Sequence, residues 1–281
     1  MLIVKDKITI SVDGRVLRLA DSIVDRLYIR NRSQAIEYLV ERSLDREKTA
    51  VIMATGPSKQ LRINGNEFRS TAKVGMSSVV ELALLKLREA GFKKLFIIGE
   101  MKVLTAIFEI VGNGRKYGMA VEYIEDKNPP GTAASLRQLK GRVKNTFLVA
   151  YGDIIFGKIN IEKLWRQHFK HKGIATILVT NLLSKGGKSI RIRYLGVEVD
   201  GEKIIKTYPR AEYKQCRKIE KALSFSSLMI AEPEIFDFTG DWLEEDVLPA
   251  LAEKGLLYSY LGNEGEIHIH SRSDISIASE G

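Results

Sequence analysis

Residues 50–62 read AVIMATGPSKQLR. A short apolar run climbs to Ala54 and Thr55, stops at Gly56, and turns polar. A strand that ends at glycine is where α/β proteins often hold a phosphate, on backbone amides at the start of the next helix. This loop carries Gly56, Pro57 and Gln60 where such loops usually have more glycine and a cation. Its reading decides whether the chain is an α/β nucleotide-binding protein, so the flanking sequence has to agree.

Downstream it does. TAVIMA, KLFIIG, AVEYIE, TFLVAYGD and ATILVT are short β-rich runs, separated by the helical stretches SSVVELALLKLREAG and KVLTAIFEIVGNGRKYG. Alternating strands and helices predict a mainly parallel sheet covered on both faces. In such sheets ligands sit at the carboxyl ends of the strands, so ATGPSKQLR and the YGD at 151–153 are expected to share one crevice. YLGVEVDGEKII, SFSSLMIAEPEIFDF and LLYSYLGNEGEIHIH add strands, TGDWLEEDVLPALAEKG adds a helix, and the tail SRSDISIASEG is too short for another domain.

The bulk numbers set limits. A chain of 281 residues suits two domains or one large one. Hydrophobic content is 44% and charge 28%, ordinary for a globular protein. No apolar run is long enough to span a bilayer, and the opening MLIVKDKITISVDG lacks the pattern of a signal peptide, so a cytoplasmic protein with no membrane partner is expected. The single cysteine, Cys216, excludes a disulfide framework and a cysteine metal cluster. A net charge of +9 favours acidic partners such as nucleic acid or nucleotides. The density of Lys, Arg, Glu and Ile has the composition of a thermophile.

The first fifty residues follow another pattern. In KITISV, Ile8, Ile10 and Val12 alternate with Lys7, Thr9 and Ser11, the period of a half-buried strand. Leu17, Leu19, Ala20, Ile23, Val24 and Leu27 recur at helical spacing, and Ser33 is placed to cap a second helix, QAIEYLVERSLDREK. One strand and two helices are too small to stand alone without disulfides or metal, which predicts pairing with a second copy.

KITISV, LADSIVDRL and RNRSQAIEYLVERSL together resemble the ribbon-helix-helix DNA-binding family, over residues 1–48. That resemblance implies a dimer whose ribbon enters the major groove of double-stranded DNA. Lys7, Thr9 and Ser11 would read base edges, while Ser33 and Arg32 would hold a phosphate.

Residues 49–281 resemble the sugar-phosphate nucleotidyltransferases, which join a nucleoside triphosphate to a sugar 1-phosphate and release pyrophosphate. AVIMATG is similar to their opening strand and loop, NPPGTAASL to their base-side motif, NTFLVAYGD to the strand ending in a metal-binding aspartate, and EEDVLPALAEKGLLYSYL to their late helix. The resemblance implies a Rossmann-like mixed or parallel sheet. It also implies a nucleotide site at Gly56, Ser58, Lys59, Asp126, Gly131, Thr132 and Asp153, with Asp126 standing where the family has a base-pairing glutamine. Mg²⁺ would accompany a bound nucleotide, on Asp153 and, by alignment, His268.

Several positions depart from that pattern. Gln60 stands for the loop arginine, Ser58 for a glycine, Phe225 for a sugar-binding asparagine and His268 for the second metal aspartate, with Arg69, Lys73 and Arg210 as nearby cations. His268 and His270 read as partly exposed strand residues, and His168 and His171 as a solvated helix end. On these grounds the sequence predicts a DNA-binding transcriptional regulator, dimeric or tetrameric, with a degenerate nucleotidyltransferase-like domain, a pseudoenzyme that binds a nucleotide or nucleotide-sugar or sets assembly. The alternatives are an active sugar-1-phosphate nucleotidyltransferase with an N-terminal dimerisation or autoregulatory unit, and an architectural DNA-binding protein.

Overall fold

The computed structural model describes residues 8–24, 29–46, 48–65, 67–127, 130–181, 195–209, 223–262 and 266–280. The chain divides into two compact units, Met1–Glu47 and Lys48–Gly281.

In the first unit, α1 (Gly14–Ser22) starts at Asp13, whose carboxylate accepts the Arg15 amide at 2.8 Å. The second helix, α2 (Arg32–Arg46), is capped by Asn31 rather than by Ser33. The Asn31 Oδ1 accepts the Gln34 amide at 3.0 Å, and the Gln34 side chain reaches back to the Arg30 amide at 2.7 Å. Asparagine is as good a cap as serine, so the helix starts earlier and gains length. The Arg32 guanidinium grips Asp21 of α1 through both carboxylate oxygens, at 2.7 and 2.8 Å. Ala20 and Ala35 are buried.

The expected ribbon strand is not observed. Residues 8–13 carry no strand, Thr9 and Ser11 are exposed, and Lys7 lies outside the described residues. A strand needs backbone partners on an adjacent strand, and the described residues of this unit offer none. Ile8 and Ile10 are 77% and 55% exposed, and Val16, Leu19 and Val40 are exposed with them.

Among the described residues, the second unit is built on a nine-stranded mixed sheet. Its strands in chain order are β1 (Thr49–Ala54), β2 (Lys94–Gly99), β3 (Ala120–Glu125), β4 (Phe147–Tyr151), β5 (Ala175–Asn181), β6 (Leu195–Asp200), β7 (Lys203–Pro209), β8 (Leu223–Ala231) and β9 (Leu257–Leu261). Their spatial order is β5-β9-β7-β6-β8-β4-β1-β2-β3, and β5 also pairs with β8. The four strands from β4 to β3 are parallel, and β8 joins them antiparallel at β4. The apolar run of β1 is buried on both faces, as a central parallel strand requires.

Helices α3 (Val79–Glu89), α4 (Met101–Val111), α5 (Thr132–Arg137), α6 (Ile161–His168), α7 (Leu248–Glu253) and α8 (Arg272–Glu280) complete the unit. Ser78 and Glu81 form a reciprocal capping box at the start of α3. The tail thus forms a helix of its own, packed beside the buried Ala72, Val79 and Ile269. His168 is only 2% exposed, contrary to a solvated helix end. It bonds Thr176 of β5 at 2.9 Å and Glu232 at 3.0 Å, because the last turn of α6 faces the sheet. His171 bonds Glu202 at 2.5 Å and stacks on Tyr258. No helix among the described residues is long and apolar enough to cross a membrane.

Candidate functional site

The carboxyl ends of β1, β2 and β3 open onto a cleft of about 390 Å³. One wall is the loop after β1, with Thr55, Gly56, Pro57 and Gln60. Gly56 has φ 113°, a backbone conformation that side-chain-bearing residues rarely adopt, so the turn out of β1 depends on glycine. Pro57 then opens a single helical turn, Ser58–Leu61. The Ser58 amide donates to one oxygen of Glu100 at 2.6 Å and the Ser58 hydroxyl to the other at 3.0 Å. Glu100 follows β2, so the chain's own carboxylate sits on the amide at the head of the helical turn. Lys59 is exposed and lies outside the cleft-lining set.

The opposite wall holds Asp126, Pro130, Gly131, Thr132, Ser135 and Trp242. A Cβ on Gly131 would come within 2.4 Å of the Asp241 carbonyl, so the close approach of these segments needs glycine. That carbonyl accepts the Ala133 amide at 2.8 Å and the Ala134 amide at 3.1 Å, satisfying the start of α5. The Thr132 hydroxyl donates to Glu244 at 3.0 Å, and Tyr151 at the end of β4 donates to the same carboxylate. Burial pushes the Glu244 carboxyl above the usual carboxylate range despite these donors. Asp126 is 4% exposed and follows β3. It accepts the Ser135 hydroxyl and the Gln138 side-chain amide, both at 2.8 Å. Burial raises its carboxyl too.

Asp153 lies on the neighbouring strand end. Gly152 donates its amide to Met53 of β1 at 2.9 Å, which sets Asp153 beside the start of the β1 loop. The Arg69 guanidinium comes within 3.3 Å of the Asp153 carboxylate and the His270 ring within 3.5 Å. Arg69 is anchored beside the helical turn, its amide donating to the Leu61 carbonyl at 2.9 Å. His268, aligned with a metal aspartate, bonds Glu266 at 3.1 Å, and Glu266 also accepts the buried Ser226 hydroxyl. Phe225 is buried edge-on against Tyr151. Ser227 beside it has φ 54° inside the bulge where β8 crosses β5. Among the described residues no three His, Cys, Asp or Glu side chains group as metal ligands.

Gly56, Asp126, Gly131 and Thr132 therefore line one cleft, with Ser58 bonded at its edge and Asp153 on the adjacent strand end. Arg69, not Lys73, reaches Asp153, and Arg210 lies outside the described residues. Sequence reasoning missed Glu100, Glu244, Glu266 and Trp242. The signal for Glu244 was present in the late-helix motif WLEEDV, but its partner Thr132 lies far back in the chain.

Residues 49–185 match the family model described as nucleotidyl transferase. That match lies in the second unit, Lys48–Gly281. Its mixed α/β fold is shared with a protein assigned as a glucose-1-phosphate thymidylyltransferase from Bacillus anthracis, solved with a sucrose. That match has TM-score 0.71 and 15% identity, covering 83% of this chain and 94% of the other. HddC from Yersinia pseudotuberculosis matches with TM-score 0.65 and 16% identity, covering 83% of this chain and 98% of that one. No curated protein matches the chain in sequence.

These matches overturn the expected DNA-binding transcriptional regulator, together with its reading as a pseudoenzyme. The family match is to nucleotidyl transferases over residues 49–185, and the fold shared with the solved structures extends over 83% of the chain. The ribbon-helix-helix unit is not shown: in one chain the segment before α1 carries no strand, its expected partner being a second copy, and Arg32 pairs with Asp21. The expectation erred because a short alternating stretch before two helices is a permissive pattern, and net charge alone does not choose between nucleic acid and nucleotide.

Proposed function

We propose that this chain is a sugar-1-phosphate nucleotidyltransferase. The observation that carries the reading is the convergence of the Gly56 loop, the wall of Asp126, Gly131 and Thr132, and the Asp153–Arg69 pair at the same ends of parallel strands. The nucleotide would lie in the cleft, its base toward Asp126 and its phosphates toward the Gly56 turn. In the reaction a phosphate oxygen of the sugar 1-phosphate bonds to the α-phosphorus of the triphosphate. The bond from that phosphorus to the bridging oxygen breaks, and pyrophosphate leaves.

The protein's part is positioning and charge neutralisation. Gln60 carries no charge, so Arg69 is the cation best placed to face the phosphates. Thr132 and Glu244 lock the start of α5 against the late helix, fixing the base-side wall. Mg²⁺, implied by the fold family, would arrive with the nucleotide. A hard ion of this kind is commonly held by one or two carboxylates and the substrate's phosphate oxygens, and Asp153 supplies a carboxylate here. When bound it neutralises phosphate charge.

The test is pyrophosphate release from nucleoside triphosphates mixed with sugar 1-phosphates. Asp153→Asn and Arg69→Met should each lower turnover by about 10²-fold or more. Absence of pyrophosphate across all nucleotide and sugar combinations would sink the reading.

The N-terminal unit is assigned self-association. Its exposed Ile8, Ile10, Val16 and Leu19 leave apolar surface that a second copy would cover. Light scattering should report at least a dimer for the full chain and a smaller assembly for residues 48–281; equal assembly of both refutes this role.

A further inference from the structure

The described cleft-lining residues include two carboxylates, and they are held differently. Glu100 is turned onto the amide and hydroxyl of Ser58. Asp126 is fixed on the base-side wall with a donor on each oxygen, the Ser135 hydroxyl on Oδ2 and the Gln138 amide on Oδ1. Both donors come from α5 and the residue that caps it, so they set the plane of the carboxyl group. Because each oxygen receives a proton from the protein, both act as acceptors. A carboxylate oxygen accepts more than one donor, so each oxygen of Asp126 keeps the capacity for a further hydrogen bond.

This determines which nucleobase the wall can read. Trp242 lines the same cleft, 44% exposed, and an indole stacks on any base, so it gives affinity without selection. The carboxylate selects. Guanine presents two adjacent donors, N1–H and the N2 amino group, matching two carboxylate oxygens side by side. Uracil and thymine present one donor between two carbonyl oxygens, which a carboxylate repels. Cytosine and adenine present one amino group next to a bare ring nitrogen, again an acceptor against an acceptor.

We propose that Asp126, held by Ser135 and Gln138, makes this cleft specific for guanine nucleotides. The proposal rests on the nucleotidyltransferase reading for the location of the base, and it names the substrate class of that site.

The experiment is calorimetric titration of the full chain with GTP, ITP, XTP, ATP, CTP, UTP and dTTP. GTP is expected to bind about tenfold or more tighter than the others. ITP, which lacks the N2 amino group, should lose about tenfold against GTP. Asp126→Asn should lose guanine preference and gain XTP, because xanthine replaces the N2 donor with a carbonyl that the Asn amide can satisfy. That gain is a readout a misfolded or merely weakened variant cannot produce. Ser135→Ala should reduce the preference for GTP over ITP without changing which base is preferred. Equal or tighter binding of UTP, dTTP, ATP or CTP overturns the proposal, as does an Asp126→Asn variant that still prefers GTP to XTP. If GTP is selected through Asp126 yet no sugar 1-phosphate yields pyrophosphate, the nucleotidyltransferase reading falls and this inference stands. If another base is preferred and pyrophosphate is released, the inference falls and the reading stands. If no nucleotide binds, both fall.

Discussion

Glu244 shows what a single buried carboxyl does in this domain. Its burial outweighs the hydrogen bonds from Tyr151 and Thr132 and raises its carboxyl above the unfolded value. A raised carboxyl contributes stability that is present below the unfolded value and is lost as pH rises through the folded one. Glu244→Gln removes that loss. The melting temperature of the variant should fall less between pH 4.5 and pH 8 than that of the parent. Parallel curves for the two proteins would show that this carboxyl is not a source of the pH dependence. None of this was legible in WLEEDV, where the two glutamates look alike. Only the fold separates buried Glu244 from its neighbour Glu245, which is exposed.

At the scale of elements, legibility followed the length and purity of the pattern. The apolar runs of β1, β2 and β4 are buried strands because a central strand hides five consecutive apolar residues on both faces. The period-two stretch at residues 7–12 had the right alternation, but alternation states a preference and supplies no partner. The Asn31 cap was missed because Ser33 offered the same chemistry two residues later. Pairings across the fold were illegible for another reason. Arg69 and Asp153 lie 84 positions apart, and nothing local to either marks the other.

His168 is a second case, since its helix gave no sign of which end turned inward. There, burial would raise Glu232, but the bonds from His168 and Thr146 win and hold its carboxyl below the usual range. This contribution is present above the unfolded carboxylate value and is lost as pH falls through the folded one. His168→Leu strips one of those bonds from a half-buried carboxylate and should cost about 1–3 kcal/mol at pH 7. The deficit should shrink on acidification. A denaturant series at pH 7 and pH 3 checks both, and a deficit that grows at the lower pH would contradict the account.

For the whole molecule, the distribution of core matters most. The large hydrophobic cluster lies within Lys48–Gly281, while Ala20 and Ala35 are the buried hydrophobic residues described in the first unit. The chain from residue 48 onward therefore carries its own stability. Thermal unfolding of residues 48–281 should be cooperative, with a midpoint within about 4 °C of the corresponding transition in the full chain. Loss of cooperativity would mean that the helical pair contributes to the larger fold directly.

The carboxylate of Glu100 on the Ser58 amide has a further meaning for ligand capture. A triphosphate seeking that amide meets a tethered competitor, present at a high effective concentration and impossible to wash away. Arrival is then an exchange of one anion for another, and part of the binding free energy goes into displacement. Glu100→Gln keeps an acceptor for Ser58 but discharges the competitor. Pyrophosphate should bind this variant about three- to tenfold tighter than the parent, mostly through slower release. Unchanged affinity would mean that the phosphates never reach this amide. In the parent the corner is defended against stray anions until a ligand brings enough contacts of its own to evict the occupant.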